Sequence, residues 1–70
     1  MTNDLGVMAR KYNLSVNRMR EIAKELRLDV EFIEARGAWV LMEDPYAVEL
    51  FTDHVRTLAQ IIEYANGRGR

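Results

Sequence analysis

The spacing of apolar residues changes twice along this chain, and those changes limit what it can fold into. From Leu5 to Leu26 apolar side chains recur every three or four residues, the repeat that gathers them on one side of an α-helix. Between Asp29 and Met42 that repeat gives way to "DVEFIEARGAWVLM", rich in β-branched and aromatic residues, with Arg36-Gly37 at its centre as a tight turn. From Val48 the helical spacing returns and persists to Ala65. The expected fold is mainly α with a small β-hairpin: two helices, a two-stranded hairpin and a longer helix.

Punctuation agrees with periodicity. Leu5, Met8, Ala9 and Tyr12 stand at i, i+3, i+4 and i+7, with Thr2 or Asn3 as the expected N-cap and Asp4 in the first turn. Asn13, of the type that besides Gly most readily turns left-handed, ends that helix, and Ser15 caps the next. The second helix is expected to bury Val16, Met19, Ile22, Ala23 and Leu26 and to face Asn17, Arg20, Glu21 and Lys24 outward. Asp44-Pro45 is an acid cap followed by Pro at the first helical position, and Asn66-Gly67 is a natural stop. The roughly 20 residues between them would span about 30 Å. Val48, Phe51, Val55, Leu58, Ile62 and Ala65 form an a/d seam along that helix, widened by Leu50, Ala59 and Ile61.

Seventy residues form one small domain, near the size at which an apolar core barely suffices, and without Cys no disulfide or thiolate metal site can compensate. No repeat, low-complexity tract or linker divides the chain. The expected organisation of the single domain, 1–70, is a helix pair over 1–28, a hairpin over 29–43 and a C-terminal helix over 44–66. No apolar run approaches the roughly 20 residues of a membrane span, and "MTNDLGVMARKYN" lacks the apolar stretch of a secretory signal. A cytoplasmic protein without membrane contact is expected.

The formal net charge of -1 hides a segregation. Arg10 to Arg27 carries six basic side chains against Glu21 and Glu25, whereas Leu28 to Ala65 carries only Arg36 and Arg56 against eight acidic ones. A basic face on an acidic body is the expected surface. Two helices joined by a turn of about three residues, the second with an outward basic face, match the helix-turn-helix plan, in which the second helix enters the DNA major groove. The hairpin would then be a wing.

At this point "LGVMARKYNLSVNRMREIA" resembles the opening of the MerR-like winged helix-turn-helix superfamily, which includes the phage excisionases, and "RGAWVLMEDPYAVELF" extends the likeness into the last helix. Ala9, Asn13 and Ser15 stand where the family has a small residue, a turn Gly and a hydroxyl cap; Asn for Gly is a departure. The resemblance, over about residues 5 to 52, implies sequence-preferring binding of double-stranded DNA by a regulatory or architectural protein, excisionase-like or a compact transcription regulator. Transcription regulation or DNA recombination in a bacterial or phage-infected cell would be its setting. The family's DNA-facing positions fall on Asn17, Arg18, Arg20 and Glu21. Relatives carry several basic wing residues where this hairpin has Arg36 alone, so the wing is expected to touch phosphate at most.

Each residue also has a plainer reading. Arg20, Lys24 and Arg27 recur on one flank and could neutralise phosphates together with Arg10 and Lys11, or form a solvated face. Asn17 and Arg18 lie in the first turn, where Asn can read adenine and Arg guanine, although Arg18 could touch backbone alone. Glu21 could accept from cytosine, but an intrahelical pair with Arg18 or Lys24 is the simpler expectation. Trp39 is read as core rather than as an exposed recognition aromatic. His54, beside Asp53, is read as buried at the edge of the apolar stripe, since one His without Cys builds no usual zinc site. Ser15, the only Ser, serves as a cap, and no Walker-type loop is present, so neither enzyme activity nor a cofactor is expected.

The seam of the last helix either lies wholly across the first two helices or pairs in its far half with another copy. Self-association through Leu58, Ile61, Ile62 and Ala65 is the expectation taken, with Tyr64, Arg68 and Arg70 at its border, as a homodimer or a cooperative assembly on DNA. The rival reading is a protein-binding module on the same scaffold that docks a partner through its acidic hairpin and C-terminal helix; a sequence pI of about 5.7 favours it.

Overall fold

The computed structural model describes residues 2–68. Its order is α1 (Leu5–Tyr12), α2 (Val16–Glu25), β1 (Val30–Ile33), β2 (Ala38–Leu41) and α3 (Pro45–Arg68). The three helices and the antiparallel hairpin are those the periodicity predicts.

α1 is capped by Asp4, not by Thr2 or Asn3: its carboxylate accepts from the Gly6 and Val7 N–H groups at 2.8 and 3.3 Å. Asn3 has a different task. Its carbonyl accepts from Leu41 N–H at 2.8 Å, its side-chain amide donates to Leu41 O, and Asp4 bridges Val40 antiparallel, so the N-terminal segment lies along the outer edge of β2. This covers a strand edge that would otherwise expose its polar backbone.

Asn13 ends α1 in the left-handed conformation, φ 57°, and the Leu14 N–H closes back on Ala9 O at 3.0 Å. Leu14 thereby turns onto the core and Ser15 starts α2, its hydroxyl accepting from Arg18 N–H at 3.0 Å. α2 is shorter than predicted. It ends at Glu25; Arg27 takes a left-handed φ of 60°, and the N–H groups of Arg27 and Leu28 bond to Lys24 O and Ala23 O. These two bonds form a Schellman closure, which satisfies the last carbonyls of a helix and turns the chain sharply away. Leu26, expected in the core, is left 43% exposed.

The hairpin pairs Val30 with Leu41 and Phe32 with Trp39 on one face, and Glu31 with Val40 and Ile33 with Ala38 on the other. Its loop is Glu34 to Gly37, where Gly37 supplies the positive φ of 59°. The open end is tied twice, by Met42 N–H to Asp29 O and by Asp29 N–H to a Glu43 carboxylate oxygen, both at 2.8 Å.

The Asp44 carboxylate caps α3 through Ala47 N–H at 2.8 Å, as the Asp-Pro pair predicts. The helix runs through the expected stop at Asn66-Gly67 to Arg68. A Cβ at Gly67 would meet no other group within 4 Å among the described residues, and the helical Gly itself costs about 1 kcal/mol relative to Ala. At 24 residues α3 is about 36 Å long and dominates the 42 Å long axis of the molecule.

α1 lies at the centre, against α2, β2 and α3. Leu5, Met8, Met19, Ile22, Ala23, Leu41, Val48, Phe51 and Val55 are buried around it, with Val16, Val30, Trp39 and Leu58 packed at the margin. The core therefore reaches only the first half of α3. Leu50 and Ile61 do not widen the buried seam, being 52% and 59% exposed, and His54 is exposed rather than buried.

Candidate nucleic-acid interface

Because Ser15 starts α2 and Met19, Ile22 and Ala23 anchor it, Asn17, Arg18, Arg20, Glu21 and Lys24 are exposed. The Schellman closure then folds the chain back, and the hairpin rises beside the outward flank of α2. Between them lies an open cleft lined by Asn17, Arg20, Glu21, Lys24, Arg27, Leu28, Asp29, Val30 and Trp39. Five of the nine residues singled out from sequence for DNA contact meet there. Arg27 joins them from the turn beyond the helix rather than from the helical flank.

Trp39 packs partly buried at the margin of the core, close to the expected core reading, and still presents a ring face to the cleft. It is half-buried in the hairpin, Phe32 meets its ring edge-on at 5.3 Å, and the Arg20 guanidinium carbon sits 3.7 Å from its ring centre. Arg20 also reaches Asn17 Oδ1 at 3.4 Å, a weak hydrogen bond at best. Sequence reasoning missed this stack, because a contact between a helix residue and a strand residue 19 positions later leaves no periodic signal.

Arg18 stands 3.6 Å from Glu21, the intrahelical pair expected. Both side chains are at least half exposed, so the pair adds little to stability. Among the described residues the only other ion pair is Arg56 with Asp53, which leaves Arg20, Lys24 and Arg27 without carboxylate partners.

Arg10, Lys11 and Arg36 do not line this cleft. Arg10 is exposed on α1, and Arg36 is exposed at the hairpin tip. Lys11 lines a different groove, between the end of α1 and the far half of α3, with its ammonium 5.5 Å from the Tyr12 ring centre. Among the described residues no group of three or more His, Cys, Asp or Glu side chains is placed to hold a metal ion. No helix among them is long and apolar enough to cross a membrane.

Along the far half of α3, Leu58 is half-buried, Ile62 and Ile61 are 38% and 59% exposed, and Ala65 is exposed. Tyr64 is exposed beside Arg68, whose guanidinium lies 5.7 Å from its ring centre; Arg70 falls outside the described residues. Comparison with known proteins finds no matching family model, no matching curated protein and no matching solved structure.

Proposed function

We propose that this chain is a small double-stranded DNA-binding protein of winged helix-turn-helix type, excisionase-like or a compact transcription regulator, with α2 as the recognition helix and the hairpin as its wing. The observation that carries the reading is the exposed flank of α2 and the turn after it, from which Arg20, Lys24 and Arg27 face one cleft with no carboxylate partner among the described residues. Three cations so arranged suit a phosphate backbone, and the short turn through Asn13 and Leu14 between the two helices fits the helix-turn-helix plan. Asn17, in the first turn, is the side chain with the clearest access to a base edge, whereas Arg18 must leave Glu21 to read one.

The test is a fluorescence-anisotropy titration of labelled duplex fragments from the source genome, at low and near-physiological salt, with wild type and Arg20→Glu/Lys24→Glu. Salt-sensitive binding that disappears in the double variant is expected; absence of binding by wild type at low salt refutes the proposal.

A protein-partner reading rests on a separate observation: Glu31, Glu34 and Glu49 are exposed on the hairpin and α3, away from the cleft. Reversing these three should leave DNA binding intact and abolish capture of a basic partner. Glu43 is unsuitable for that test, since its carboxylate holds the base of the hairpin.

A further inference from the structure

The hairpin carries one basic residue, Arg36 at its exposed tip, and several acidic ones, which makes it a poor phosphate-binding element by itself. Its Trp39 nevertheless holds a cation in place. The Arg20 guanidinium rests against the indole face at 3.7 Å, and Phe32 buttresses the same ring from its edge. Arginine is weakly hydrated, stacks well on aromatic faces and presents its N–H donors in the guanidinium plane, so a stacked Arg20, one of whose donors makes only a long 3.4 Å contact with Asn17, keeps donors available for a phosphate. A long exposed side chain that would otherwise sample many rotamers is ordered before any ligand arrives.

We propose that Trp39 is a positioning residue for DNA binding: the hairpin acts through Arg20, fixing its guanidinium as a phosphate clamp at the mouth of the cleft, rather than through cations of its own. This rests on the DNA-binding reading above and adds to it a division of labour. Arg20 serves the backbone, because a guanidinium stacked on Trp39 is held against the hairpin with its fork of donors suited to phosphate oxygens. Trp39, though 19 residues away in sequence, sets how well it does so. Lysine cannot substitute, since an ammonium on a flexible stem neither stacks as a plane nor offers a fork of donors.

The experiment uses the full chain, with anisotropy titrations over a salt series for wild type, Arg20→Ala, Arg20→Lys, Trp39→Phe, Trp39→Leu and Arg20→Ala/Trp39→Leu. Circular dichroism establishes that each variant is folded. Removing Arg20 should lower the slope of log K against log salt by about one phosphate's worth, near 0.9. Arg20→Lys and Trp39→Leu should each weaken binding about three- to tenfold, the factor associated with ordering one long side chain. Trp39→Phe should retain most of the affinity. In the Arg20→Ala background Trp39→Leu should cost nothing further, which a merely structural role for Trp39 would not produce.

Binding lost by Arg20→Ala but untouched by Arg20→Lys and Trp39→Leu overturns the positioning role and leaves the DNA reading standing. Additive losses in the double variant also overturn it. Flat titrations for wild type and every variant sink the DNA reading, and the positioning role with it. If Trp39→Leu does not fold, Arg20→Lys and Trp39→Phe decide: equal affinity for wild type and Arg20→Lys refutes the inference.

Discussion

Arg27 occupies the left-handed position that closes α2, with φ 60°, at the C′ site where glycine is strongly favoured. For a side chain larger than Asn that conformation costs roughly 1–2 kcal/mol, because its Cβ crowds the following carbonyl. Gly at the same site removes the clash but lowers folding stability by about 0.5–1 kcal/mol through the extra freedom it gives the unfolded chain. Arg27→Gly is therefore expected to stabilise the fold by about 0.5–1 kcal/mol, and in a domain of this size 1 kcal/mol moves the melting midpoint by roughly 4–8 °C. The same change deletes one of the three unpartnered cations of the cleft, so DNA affinity should fall and the salt slope drop by about 0.9. Thermal melting by circular dichroism and anisotropy on the same preparation read the two arms. Asn13→Gly is the control: Asn tolerates the left-handed region, so the gain there should be no more than a few tenths of a kcal/mol. A melting midpoint at or below wild type for Arg27→Gly refutes the strain argument. An unchanged salt slope removes Arg27 from the interface.

Phe51 is fully buried at the junction of the helices, and Phe51→Ala should cost about 3–5 kcal/mol against a total of roughly 4–10 for 70 residues; urea unfolding should show the midpoint lowered by about half or more. Glu43→Ala removes the acceptor of Asp29 N–H, so amide exchange at Asp29 should accelerate markedly with about 1 kcal/mol lost overall, whereas an unchanged exchange rate would mean that another group satisfies this amide. On the proposed self-association, sedimentation of wild type at about 100 μM should show a dimer and Ile61→Glu/Ile62→Glu a monomer; a monomeric wild type rejects that use of α3.

Much of the fold was legible because its signals are local. Ser15, Asp44 and Asn13 act where their chemistry predicts, since a cap needs only the next three backbone amides and a left-handed residue only its own φ and ψ. The periods of α1, α2 and the first half of α3 matched the buried faces. What failed was non-local or lacked its usual marker. The strip from Asn3 to Asp4 is too short to show alternation, and its pairing with β2 joins residues some 37 positions apart. The end of α2 was missed because Arg stands where Gly or Asn announces a Schellman turn. Ile61 was misplaced because the seam of α3 continues in sequence beyond the point where the body of the domain stops covering it, whereas His54, between the buried Phe51 and Val55, lies on the solvent side of a covered stretch. Of the candidate site, the residues on α2 were legible from helical phase alone, whereas their enclosure by Trp39 depends on the hairpin folding back.

The number of side chains that can read a base bears on how many copies must act together. At the start of α2, Arg18 is held near Glu21 at 3.6 Å and Arg20 lies on Trp39, which leaves Asn17, engaged only by a weak 3.4 Å contact from Arg20, as the most available reader. One good bidentate contact discriminates by about 1–3 kcal/mol, while a specific site typically exceeds non-specific binding by about 4–10 kcal/mol. On the proposed function a single copy reading through Asn17 alone falls short; recruiting Arg18 or adding a second copy on an adjacent half-site each raises the total to about 2–6 kcal/mol, and only both together, at about 4–12 kcal/mol, cover that range. Such an arrangement requires an element that projects away from the cleft and carries uncovered apolar surface. If the chain self-associates as its sequence leads one to expect, the far half of α3, with Ile61 and Ile62 exposed beyond the core, would supply that element. DNA reading and the expected self-association are therefore coupled: Ile61→Glu/Ile62→Glu should leave the salt slope per copy on random duplex unchanged while reducing the preference for a specific site by tenfold or more. Equal preference in the variant and wild type would mean that one copy of α2 reads more bases than its side chains suggest.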